Sequence, residues 1–93
     1  MSQTILVVDD EPNLVDLIRM TLERENYQVI EADNGYKAIQ RLREELPDLV
    51  LLDVMMPEMD GLETLKEIRA FSNIPVIMLT VRATEQDKVR GLE

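Results

Sequence analysis

The chain has 93 residues, 45% of them hydrophobic, and a net charge of -9 from 19 acidic and 10 basic side chains. That describes one small globular domain, able to bury about 60–65% of its unfolded surface, and its acidity argues against direct contact with nucleic-acid phosphates. With no cysteine and no histidine, disulfides, thiol catalysis, histidine-held zinc and a Ser-His-Asp triad are all excluded.

No apolar run approaches the ~20 residues that a membrane span needs, and no leader pattern follows Met1, so the cytoplasm is the expected compartment. Ile5 to Val8 is a short apolar run rich in β-branched residues, the pattern of a strand covered on both faces. It stops at Asp9-Asp10-Glu11, and Pro12 then suits the first turn of a helix. Leu14, Leu17, Ile18 and Leu22 predict the apolar face of that helix, over roughly Pro12 to Glu25. Asn26 breaks it, and Tyr27 to Ala32 reads as a second strand. Asp33-Asn34-Gly35 is turn chemistry. Ala38, Ile39 and Leu42 mark a second helix that ends before Pro47.

Leu49 to Leu52 is a third buried strand, again running into an acid, Asp53. Pro57 and Asp60-Gly61 punctuate the loop beyond it, and Leu62, Leu65 and Ile68 mark a third helix. Pro75 to Leu79 reads as a fourth buried strand ending at Thr80. A last helical pattern, with Val89 and Leu92 on one face, begins near Thr84 or Glu85. Strands alternating with helices predict an α/β fold with an open parallel sheet and right-handed crossovers. No internal linker or repeat divides residues 1–93.

In such sheets ligands bind beyond the carboxyl ends of the strands, where the strand order reverses. Three of the four strands end in oxygen-bearing side chains: Asp9 and Asp10, Asp53, and Thr80. If the first, third and fourth strands are neighbours, these oxygens converge. Crowded carboxylates repel one another, so the cluster calls for a cation, and magnesium fits as a hard ion content with one or two carboxylates, waters and a phosphate oxygen. A carboxylate beside that ion can attack phosphorus and become an acyl phosphate. The plainer account makes each acid a helix cap or turn residue; its repetition at strand end after strand end favours a pocket. Met55, Met56 and Met59 read as loop and core filler, and Glu23, Glu44 and Glu67 as solvated faces.

Ile5 to Glu11, Pro47 to Gly61 and Ile74 to Thr80 together resemble the receiver domain of bacterial two-component response regulators. Asp-x-Met-Met-Pro-x-Met-Asp-Gly, from Asp53 to Gly61, is similar to the version found in regulators with winged-helix DNA-binding output domains. The resemblance implies a flavodoxin-like (βα)5 fold with Asp53 as phosphoacceptor. It implies a magnesium site of Asp9, Asp10, Asp53 and the backbone carbonyl of Met55, with Asp10 a direct ligand and Asp9 a support through water, and Thr80 as the switch hydroxyl. It makes the chain a signalling switch and not an enzyme, taking its phosphoryl group from a phosphohistidine on a sensor histidine kinase to control an attached output domain in transcription regulation.

Residues 1–93 hold four strands, so the resemblance implies an incomplete receiver domain: the last βα unit and the lysine at the end of the family's fifth strand are not in this text. Impaired transfer and self-association through an exposed fourth strand are the expected consequences. Arg82 is the one basic side chain the sequence places near Thr80, a candidate substitute for that lysine. Two competing functions are an interaction module that is never phosphorylated and an aspartyl-nucleophile phosphohydrolase. The latter enzymes generally place an Asp two residues after the nucleophile, where this chain has Met55.

Overall fold

Residues 3–54 and 60–79 are those that the structure, a computed structural model, describes. They form β1 (Thr4–Val8), α1 (Pro12–Arg24), β2 (Gln28–Ala32), α2 (Gly35–Glu45), β3 (Leu49–Asp53), α3 (Gly61–Arg69) and β4 (Val76–Leu79). All strand pairs are parallel, in the order β2-β1-β3-β4. The expected fourth helical pattern lies outside the described residues.

Alternation along β1 sends its side chains to two separate cores. Leu6 and Val8 join Ala38 and Leu42 of α2, Val50 and Leu52 of β3, and Ile68 of α3. Ile5 and Val7 face the other way, toward Val15, with Ile18 and Leu22 of α1 packed around them. Both faces of β1 are therefore covered, which is why its sequence is apolar without a break. Each such side chain contributes about 1.5–3 kcal/mol of burial.

Two helices are turned differently from the expected seams. Val15 is buried, whereas Leu17 is 61% exposed. The two lie roughly 200° apart around the helix, so docking Val15 onto Ile5 and Val7 carries Leu17 into solvent. On α3 the buried line runs through Gly61, Thr64 and Ile68, and Leu62 points outward. Thr64 can be buried because its hydroxyl donates to the Asp60 carbonyl at 2.8 Å.

The helix ends follow local chemistry. Asn34 caps α2 by accepting the Lys37 N–H at 2.8 Å, and Asp60 caps α3 by accepting that of Glu63 at 2.8 Å. Asn26 follows α1 in the left-handed region at φ 72, a conformation asparagine tolerates. Leu46, which ends α2, is also left-handed at φ 49. An ion pair from Arg19 to Glu31 ties α1 to β2.

The expectation of a buried fourth strand is corrected. β4 pairs only with β3 among the described residues, and Ile77 is 51% exposed. On the sheet face that α1 covers over β1 and β2, no described helix reaches as far as Ile77. The residue type reported a strand with two apolar faces; what covers each face is a tertiary matter.

Candidate functional site

From β1 the chain goes to β2 on one side, then returns to β3 on the other. The carboxyl ends of β1 and β3 therefore flank the place where strand order reverses. Asp9 follows the last residue of β1, Asp10 comes next, and Asp53 closes β3. The register that sets Val8 beside Leu52 makes Asp9 and Asp53 the next neighbours. One carboxylate oxygen from each of Asp9, Asp10 and Asp53 lies within 4.8 Å of the others. Asp9 and Asp53 are both only 2% exposed.

Backbone bonds hold this cluster from several sides. The Asp9 N–H donates to the Ala32 carbonyl at 3.1 Å, and Asp9 Oδ1 accepts the Glu11 N–H at 2.9 Å, which bends the chain into α1. One residue past Asp53, the Val54 N–H donates to the Leu79 carbonyl at 3.1 Å. The Val54 carbonyl in turn accepts the Gly61 N–H at 2.9 Å, so α3 begins against the backbone of the phosphoacceptor candidate. A side chain at Gly61 would not fit. Its Cβ would overlap the Asp53 carbonyl oxygen and lie 2.6 Å from the Val54 Cα.

None of these acids caps a described helix. The N-cap positions of the three helices are Glu11, Asn34 and Asp60, and neither Asp10 nor Asp53 is among them. Asp9 spends one oxygen on a turn bond. Around an octahedral magnesium ion, ligand oxygens sit roughly 3 Å apart when adjacent and roughly 4.2 Å when opposite. With every pair within 4.8 Å, the three oxygens need to close by at most about 2 Å, and they are hard donors, as that ion requires. The residues present fit the metal.

Met55, Thr80 and Arg82 lie outside the described residues. The structure does bring β1, β3 and β4 side by side, the condition on which convergence rested. Glu23, Glu44 and Glu67 are exposed, as their solvated-face reading requires. Gly61 is the position that sequence reading passed over, treating Asp60-Gly61 as turn chemistry alone. No local signal set it apart, since a glycine directly after the Asp60 cap, at the first position of α3, reads as ordinary turn chemistry.

A family profile for the response regulator receiver domain matches residues 5–93. The chain is 53% identical over 89 residues to a transcriptional regulatory protein CpxR homolog of Haemophilus influenzae, covering 96% of this chain and 39% of that one. It is 47% identical over 94 residues to the alkaline phosphatase synthesis transcriptional regulatory protein PhoP of Bacillus subtilis, covering 100% of this chain and 39% of that protein. Both curated relatives are thus much longer than the matched region. Among solved structures, the N-terminal domain of a response regulator receiver protein from Methanoculleus marisnigri superposes with a TM-score of 0.82 at 49% identity, over 84% of this chain and 66% of that one.

Proposed function

Because the chain belongs to the response regulator receiver domain family, we propose that residues 1–93 act as one phosphoacceptor switch, with Asp53 receiving the phosphoryl group. The convergence of Asp9, Asp10 and Asp53 at the point where strand order reverses carries this reading. In the step, an Asp53 carboxylate oxygen attacks the phosphorus of a phosphohistidine. The P–N bond breaks as the P–O bond forms, its electron pair returns to the ring nitrogen, and the ring, already protonated on its other nitrogen, leaves as neutral imidazole.

The protein's own contribution is mostly placement. Asp53 ends a strand paired on both sides and is backed by α3, so its carboxylate is held for in-line approach. Burial of Asp53 excludes water from its flank. Asp10 would ligate magnesium directly, Asp9 through a water, and Asp53 and the Met55 carbonyl would complete the protein's share. The ion supplies neutralisation of the charge on the transferring phosphoryl oxygens. Thr80 would donate its hydroxyl to one of those oxygens and shift as it does so.

The donor would be a sensor histidine kinase, and the relatives' greater length suits an output domain, of the winged-helix kind, that acts in transcription. Nothing in this reading requires turnover of a substrate. No helix among the described residues is long and apolar enough to cross a membrane, in keeping with action in the cytoplasm. Incubation with acetyl phosphate and magnesium should add one phosphoryl group to the mass of the chain, and Asp53→Asn should abolish the adduct. An adduct that survives Asp53→Asn sinks the assignment.

A further inference from the structure

At the opposite end of the sheet from the acidic cluster, the last turn of α2 and the segment that follows α3 border a groove of about 620 Å³. β3 spans roughly 16 Å between the two ends, so the groove shares no residue with the carboxylate site. Its wall includes Leu42, Arg43, Leu46, Pro47, Phe71 and Ile74. Three observations there point to a ligand.

Leu46 is 77% exposed, an apolar side chain facing solvent on the groove's rim. It is also held at φ 49 and ψ 60. Glycine or asparagine normally ends a helix in that conformation, and a residue preceding proline is driven toward extended backbone instead. Folding alone would favour another residue at this position, since neither burial nor backbone preference asks for leucine.

Arg43 lies with its guanidinium 4.1 Å from the centroid of the Phe71 ring, itself 40% exposed. Among the described residues it is in no ion pair. A guanidinium stacked on a ring keeps its N–H donors pointing outward in its own plane, where they suit a carboxylate. The neighbouring Asp48 forms no ion pair with Arg43; Oδ2 of Asp48 accepts the Thr4 N–H at 2.8 Å. Apolar surface beside an outward-facing, unpaired cation is complementary to an apolar side chain with a carboxylate next to it.

We propose that this groove is a docking site for a peptide segment carrying one bulky apolar side chain and an adjacent carboxylate. The apolar group lies against Leu46, Pro47 and Ile74, and the carboxylate takes the edge of Arg43. The groove is shallow and the contact small, so binding is weak and reversible.

The probe is a fluorescein-labelled heptapeptide, Lys-Ser-Leu-Glu-Phe-Ser-Lys, whose lysines offset repulsion by the acidic chain. Titrated into the 93-residue chain, it should shift the amide resonances of Arg43, Leu46, Phe71 and Ile74 and leave those of Asp9 and Asp53 in place. Replacing its glutamate by glutamine, or Arg43→Gln in the protein, should weaken binding about tenfold, the loss of one charge-assisted hydrogen bond. Leu46→Gly separates docking from folding: it relieves the left-handed leucine, so the melting temperature should hold or rise while peptide affinity falls. Absence of shifts at these four residues at millimolar peptide overturns the proposal. Equal affinity for the glutamine peptide, or Leu46→Gly binding as the parent does, overturns it as well.

Discussion

Gly61→Ala tests whether the start of α3 really sets the position of Asp53. The added Cβ would stand 2.6 Å from the Val54 Cα, against roughly 3.5–4.0 Å for an ordinary carbon contact. It would also overlap the Asp53 carbonyl oxygen. Both opposing atoms are backbone, so neither can rotate away, and a separation of about 1 Å has to open between α3 and the end of β3. The helix resists, since Asp60 caps it and Ile68 is anchored in the core at 0% exposure. Overpacking of this kind costs about 1–3 kcal/mol. Alanine recovers about 0.5–1 kcal/mol through its better helix propensity. The net loss should lie between about 0 and about 2.5 kcal/mol, centred on about 1, which for a domain of this size lowers Tm by about 5–10 °C at the centre of that range.

Function should suffer more than stability. A displacement near 1 Å at the reacting carboxylate can cost about a hundredfold in rate. The assay pairs a thermal melt with the rate of phosphorylation by acetyl phosphate and magnesium, followed by mass. If Gly61→Ala melts within about 2 °C of the parent and is phosphorylated at the parent's rate, the close approach does not govern Asp53 and the reasoning fails.

Magnesium should stabilise the chain by about 2.7 kcal/mol at a hundred times its dissociation constant, because the unfolded chain lacks the cluster. Coincident melts with and without magnesium would remove the metal site from this chain, and Asp10→Asn should erase most of the response. Self-association through β4 is expected from its unpaired outer edge among the described residues and the exposure of Ile77. Light scattering should show dimers or larger species at high concentration, with Ile77→Lys shifting the balance toward one chain; a single-chain mass for the parent across a wide concentration range would contradict it.

The amino-acid order determined the alternation of strands and helices, because uninterrupted β-branched runs and apolar residues at helical spacing are local patterns. It also placed Asp9, Asp10 and Asp53 at strand ends, since the Asp9-Asp10 pair and Asp53 each follow an apolar run directly. Whether those acids met depended on strand order, and order is settled by which faces the crossing helices cover, a matter no local window contains. The same limit explains the misjudged faces. Leu17 and Leu62 have the spacing of core residues, yet docking of Val15 on β1 and of Thr64 and Ile68 on the opposite face turned both outward. Gly61 shows the limit most plainly: its worth lies in atoms of Asp53 and Val54 that touch it only after α3 folds back onto β3, so tertiary contact alone could reveal it.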